Sequence, residues 1–234
     1  LAARFPQARL GRLDRDAVRH KGALEKTLQA FSSHALDILV GTQMLAKGHD
    51  YPGVTLVGVV AADMSLRLPD WRAAERTLQI LTQVAGRAGR GDVPGRVLIQ
   101  TYCPEHEALQ CAARHDVDTF SAGELPLRQA LRYPPYARLC LLRAESRTES
   151  TALPLAQRAA TLLKEAAHGL PDVEVLGPAP APLARLKEVW RFQVLLKAQN
   201  HLSRARVLRL LKARLPAPGG DARLILDVDP GSVL

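Results

Sequence analysis

The first 132 residues predict an α/β fold with a parallel sheet, and residues 133–234 predict a small basic α+β domain. Three observations carry this. Strand-like apolar runs alternate with helical patterns as far as Thr101, the order from which doubly wound parallel sheets are built. The tetrapeptide Tyr133-Pro134-Pro135-Tyr136 then blocks helix and sheet alike and marks the junction. Charge shifts at the same point: residues 1–131 hold 16 Lys+Arg against 14 Asp+Glu, whereas residues 132–234 hold 16 against 9, so the net +9 of the chain belongs mainly to its second half. A basic half points to nucleic acid or an acidic peptide as its partner.

In chain order, Ala8 to Arg15 reads as a strand leading into a polar turn. Lys21 to Phe31 follows as a helix, because Leu24, Leu28 and Phe31 recur at i, i+4 and i+7. Asp37 to Val40 is a strand that empties into the loop 41–52, GTQMLAKGHDYP. The run from Val54 to Ala62 is too continuously apolar for a half-exposed strand and predicts a central position in a parallel sheet. Asp63 to Trp71 is expected as a loop, followed by a helix carrying QVAGRAGR (residues 83–90) and the buried strand Val97 to Thr101. A helix from about Glu105 to Arg132, broken at Gly123 or Pro126, is expected to cover the sheet. Beyond the junction come strands at Arg138–Glu145 and Val173–Leu176, the loop GPAPAP, a hairpin of Leu183–Glu188 with Trp190–Ala198, and a last strand at Leu224–Val228. Helices are expected at Ala152–His168 and Leu202–Leu215.

A chain of 234 residues with 47% hydrophobic residues is long enough for two ordinary cores. No run approaches the ~18 apolar residues of a membrane span, and no signal-peptide pattern opens the chain, so a cytoplasmic protein without membrane contact is expected. The leucine at position 1 suggests a piece of a longer protein. Three cysteines without a CxxC pair argue for reduced thiols. Cys103, His106, Cys111 and His115 are all of metal-ligand type, but their spacing lacks a zinc knuckle, and Pro104, Glu105 and Glu107 fit a helix N-terminus instead. No metal site is expected.

The most informative chemistry lies in QVAGRAGR. Leu78, Leu81, Ala85 and Ala88 recur at helical spacing, which puts Gln83, Arg87 and Arg90 together on the opposite face. Guanidinium forks bind phosphate oxygens two at a time and keep their charge at any working pH, so this face suits a polyanion. Gly86 and Gly89 each weaken a helix by about 1 kcal/mol relative to alanine, which a plain solvated helix has no reason to carry. With the glycine-containing loop that follows the strand Asp37 to Val40, the pattern is that of a nucleotide motor.

These two stretches resemble motifs V and VI of superfamily-two helicases, whose motif VI reads QxxGRxGR and whose motif V ends in GxD. The forms TQMLAKGH and QVAGRAGR are closer still to the bacterial replication-restart, or primosomal, helicases. The resemblance implies that residues 1–132 are the second of two RecA-like lobes, with ATP and magnesium held between this lobe and one carrying the Walker A lysine and DExH acids. No GxxxxGKS/T sequence occurs in this chain, so alone it should not hydrolyse ATP. On the same resemblance Gln83 and Arg87 would face the triphosphate, and Arg90 would be the arginine finger. Gly48, Asp50 and Gly86 would line or couple the nucleotide site, while Thr42 and Lys47 would touch the backbone of single-stranded DNA. Zinc is implied only for paired cysteines upstream of Leu1.

The resemblance extends through residues 133–234, where the family carries a basic α+β domain whose fold is similar to that of a small ribosomal-subunit protein. Trp190-Arg191-Phe192-Gln193 interleaves aromatic and polar side chains, which suits either base stacking or a strand with one buried face. In the family this region helps form a pocket for the acidic tail of single-stranded-DNA-binding protein. Gln193 matches the family's glutamine there, whereas Val189 stands where a basic residue is common. Arg185, Lys187 and Arg191 are candidate phosphate contacts for single-stranded or branched DNA. The function implied is part of a 3′–5′ DNA helicase that restarts stalled forks with other primosome proteins. A DNA-binding primosome scaffold with a decayed ATPase is the alternative.

Overall fold

The computed structural model of the chain describes residues 1–13, 22–42, 53–86, 88 and 94–233. These form two compact units: Leu1–Arg67 with Ala74–Val117, and Leu68–Ala73 with Asp118–Leu234. The division falls at Val117, whereas the Tyr-Pro-Pro-Tyr motif had suggested residue 132.

In the first unit, strand β1 (Leu10–Leu13), helix α1 (Ala23–Ser32) and strand β2 (Ile38–Gly41) make a βαβ unit whose strands pair in parallel, Leu10 opposite Ile38. The i, i+4, i+7 stripe of α1 packs as expected: Leu24, Leu28 and Phe31 meet Leu13, Leu39 and Val54 in one core cluster. A guanidinium fork from Arg9 to Asp37, 2.9 and 2.8 Å, ties the entry of β1 to that of β2. That fork and the Arg9 amide hold the Asp37 carboxyl far below the usual carboxylate range.

A second parallel pair joins β3 (Leu56–Val59) to β4 (Arg96–Ile99), with helices α2 (Asp63–Leu66) and α3 (Ala73–Ala85) in the crossover. Two expectations change here. Residues 63–66 form a helical turn instead of loop, and β3 is not covered on both faces, since Leu56 is 59% exposed and Leu98 across the pair is 56% exposed. A run such as VTLVGVVAA shows how apolar a strand is but not how many layers lie over it.

Helix α4 (Glu107–Arg114) and helix α5 (Val117–Ala130) replace the single helix expected over 105–132. The break is at neither Gly123 nor Pro126. It falls at His115, which adopts the left-handed conformation and donates its amide to the Ala112 carbonyl, a terminator that a lone non-glycine residue does not advertise. Pro126 stays within α5.

The second unit is built on β5 (Arg138–Ser146), β6 (Val173–Leu186), β7 (Val189–Ala198) and β8 (Arg223–Val228), in spatial order β6-β7-β5-β8 with every neighbour antiparallel. Helices α6 (Glu149–Ala167) and α7 (His201–Arg214) cover one face. Cys140 and Leu142 of β5, Val194 and Leu196 of β7, Ala159, Ala160 and Leu163 of α6, and Val207 and Leu211 of α7 form its core. The residues GPAPAP, expected as a loop, belong to β6. This is an edge strand, so its prolines remove no ladder bond that a second neighbour would need, and the register shifts there instead. Burial in the core pushes the Cys140 thiol up to about 12.

Candidate nucleotide and nucleic-acid interface

Parallel strands present their functional residues at their C-terminal ends. Thr42 follows the end of β2 and is exposed. At the end of β3, Asp63 is only 4% exposed and opens α2. Its carboxylate accepts from the Thr101 hydroxyl and from the amides of Tyr102 and Cys103, at 2.9 and 3.2 Å. The Thr101 hydroxyl, then the Tyr102 amide, keep the Asp63 pKa below the ordinary value. One carboxylate thus fastens the exit of β3 to the exit of β4. Sequence reading missed Asp63; an acid directly after an apolar strand was the available signal.

Helix α3 presents the other half of the motif. Thr77, Leu78 and Leu81 are buried, which leaves Gln83 exposed on the far side as the periodicity predicts. The helix ends at Ala85, short of the arginines, and Gly86 continues as a turn whose amide bonds the Thr82 carbonyl at 3.0 Å. Gln83 and the arginines therefore do not share one continuous helix face. A Cβ built at Gly86 would meet only ordinary van der Waals distances, so nothing among the described residues crowds this glycine. Arg87, Arg90, Gly48, Asp50 and Lys47 lie outside the described residues.

In the second unit, β6 and β7 form a long hairpin whose turn carries Lys187 and Glu188, both at positive φ. Arg185 is exposed, pairs with Glu188, and lays its guanidinium 5.5 Å from the centre of the Trp190 ring. Trp190 packs against the cluster of Ala144, Ala152, Ala156 and Phe192. It is therefore largely a core residue, which favours the buried-face reading of the Trp-Arg-Phe-Gln stretch. Strand alternation puts Gln193 and Arg191 on the face opposite Phe192, so Trp190 and Gln193, expected in one pocket, are not brought to the same face. Arg191 is not a free phosphate ligand either. Its Nε lies 3.3 Å from Glu145, which also accepts from Arg143 at 2.7 Å.

Among the described residues no group of three or more His, Cys, Asp or Glu is placed to hold a metal ion. His106 is the N-cap of α4, its Nδ1 accepting from the Ala108 amide at 3.2 Å, and Cys111 is buried. No helix among the described residues is long and apolar enough to cross a membrane.

Residues 11–92 match the helicase conserved C-terminal domain, and residues 129–231 match the primosomal protein N C-terminal domain. The replication restart protein PriA of Bacillus subtilis (strain 168) is 45% identical over 205 residues, covering 88% of this chain and 25% of that protein. That of Synechocystis sp. is 44% identical over 234 residues, covering 100% and 27%, and that of Treponema pallidum 41% over 232 residues, covering 99% and 35%. The chain spans a quarter to about a third of the length of these relatives. With parallel βαβ units in the first match and a helix-backed antiparallel sheet in the second, it comprises a RecA-like helicase lobe and an α+β domain, and it belongs to the PriA family of replication restart proteins.

Proposed function

We propose that the complete protein is an ATP-dependent 3′–5′ DNA helicase of superfamily two that reloads the replication machinery at stalled forks. The observation that carries this reading is α3: a buried stripe fixes the helix, Gln83 projects from its last turn, and the GRAGR arginines follow directly. Gln83 and Arg87 bind the triphosphate, and Arg90 meets the charge that develops on the transferred phosphoryl group. Gly48, Asp50 and Gly86 couple that site to single-stranded DNA touched by Thr42 and Lys47. The described residues offer no ligand set for the magnesium that accompanies ATP, so no step is assigned to it here. The Walker A and DExH groups are absent from this sequence, and the 234-residue chain alone is expected to hydrolyse no ATP.

The basic second unit supplies affinity for single-stranded and branched DNA, through Arg185 and Lys187 at the hairpin tip more than through the paired Arg191. Its open sheet face, with Gln193 beside Arg143, is the proposed seat of the acidic tail of single-stranded-DNA-binding protein. Other primosome proteins are further proposed partners, at forks in the bacterial cytoplasm.

The test is Arg90→Ala in the complete protein. DNA-stimulated ATP hydrolysis is expected to fall by about 10³ or more while DNA affinity holds. An equal fall in both would make the arginines DNA contacts, and a wild type with intact DNA binding but no hydrolysis would favour the scaffold.

A further inference from the structure

Between β3 and α3 the chain does something the helicase motif does not require. Residues Leu68–Ala73 belong to the second unit, although the residues on both sides belong to the first. Within this excursion Asp70 accepts from the Ser232 hydroxyl and, at 3.3 Å, from the Val233 amide near the far end of the chain. Trp71 lies stacked on Tyr133, with ring centres 5.8 Å apart and planes 7° from parallel. The Arg128 guanidinium sits 4.8 Å from the centre of the Trp71 ring, and the Lys197 ammonium sits 4.0 Å from that of Tyr133. The buried Trp71 Nε1 has no acceptor among the described residues, so ring stacking and cations, not a hydrogen bond, hold the indole.

We propose that Trp71 is a positioning residue, which transmits binding on the second unit through α3 to Gln83 and the turn that follows. The mechanical argument has two ends. At one end, β7 carries Gln193 and Arg191 in its middle and Lys197 near its close, and Lys197 also donates to the Leu131 carbonyl at 2.8 Å, two residues from Tyr133. A ligand that shifts β7 therefore reaches Lys197, Tyr133 and Trp71 through direct contacts. At the other end, α3 starts two residues after Trp71, its first amide bonded to the Asp70 carbonyl at 3.0 Å. Thirteen helical residues rising about 1.5 Å each make a stiff rod, and buried Thr77, Leu78 and Leu81 oblige it to move as a whole. Its exposed end is Gln83.

This rests on the helicase reading for its main readout, so the experiment has a second. Complete protein is compared with Trp71→Ala and Trp71→Phe, using oligo(dT) as the probe. Three quantities are followed: probe affinity, ATP hydrolysis with and without probe, and amide hydrogen exchange across residues 73–85. Trp71→Ala is expected to keep probe affinity and unstimulated hydrolysis but to lose about tenfold of the stimulation, an ordinary size for coupling between sites. It should also lose the probe-induced change in exchange, and Trp71→Phe should restore both. Tyr133→Leu removes only the ring beneath Trp71 and should uncouple to the same degree where Trp71→Ala fails to fold. Stimulation that survives these substitutions, lost probe affinity, or an equal fall in unstimulated hydrolysis would overturn the proposal. If the wild type hydrolyses no ATP, the helicase reading fails by itself and exchange decides: a probe-dependent change present in wild type and absent from the variants supports the coupling, and any other pattern sinks it.

Discussion

Leu98 of β4 and Leu142 of β5 are both strand leucines, yet one is 56% exposed and the other 1%. The contrast separates the two units. In the second, a four-stranded sheet lies under two helices, and strand alternation sends Cys140, Leu142, Val194 and Leu196 into a single core. In the first, strands come as parallel pairs, and the face of β3–β4 that bears Leu56 and Leu98 is open. The second unit is stabilised by what it encloses. What the first offers is at its margins: the strand exits with Thr42 and Asp63, and the exposed last turn of α3.

The largest test of this contrast is Leu142→Ala. Removing a fully enclosed leucine deletes contacts from Leu163, Val194 and Val207 at once and should cost about 2–5 kcal/mol. Both tryptophans, Trp71 and Trp190, belong to the second unit, so urea unfolding followed by tryptophan fluorescence reads that unit alone. A loss below about 1 kcal/mol would mean that the core is looser than its burial implies.

This difference also explains which parts of the structure the sequence announced. Elements whose apolar stripe closes on a local partner were readable: α1 through Leu24, Leu28 and Phe31, and β5, α6 and α7 through their alternation or helical period. Misreadings arose where tertiary context overrode a local signal. Pro126 is tolerated inside α5, while His115 ends α4 through a backbone conformation that its side chain does not encode. The prolines of GPAPAP suggested a loop because a proline's harm to a strand depends on whether that strand is an edge, a property of the assembled sheet. In the site, the order of motif residues was legible, but the end of α3 at Ala85 was not, nor was the alternation that sets Trp190 apart from Gln193. Asp63 was overlooked because its partners, Thr101 to Cys103, lie almost forty residues away.

A smaller effect is expected at Gly177, where β6 changes register. Its φ is +104°, and a Cβ there would stand 2.8 Å from the Gln193 carbonyl oxygen and 3.3 Å from the Val194 Cα of the paired strand. These are backbone atoms of the central ladder and cannot rotate away. Gly177→Ala should therefore destabilise the second unit by about 1–3 kcal/mol, from the strained conformation together with displacement of β7. The same fluorescence titration measures it, and a neutral or stabilising result would show that the β6 edge relaxes without disturbing β7.

The smallest effect is expected where the contrast began. Leu98→Ala is the substitution made at Leu142, in the same residue type and the same kind of element, so side-chain chemistry cancels and burial remains. With more than half of its surface already in water, Leu98 has little transfer free energy to lose, and no closed cavity forms when it is shortened. The cost should stay within about 0.5 kcal/mol. Tryptophan fluorescence is blind to this unit, so far-UV circular dichroism, which follows both, is the measurement, with the Leu142→Ala titration as its internal standard. A cost near that of Leu142→Ala would break the comparison, because it would require the β3–β4 face to be covered in solution. Repeating the titration at several protein concentrations then identifies the cover: a midpoint that rises with concentration means a second copy of the chain, and a constant midpoint means burial within one chain.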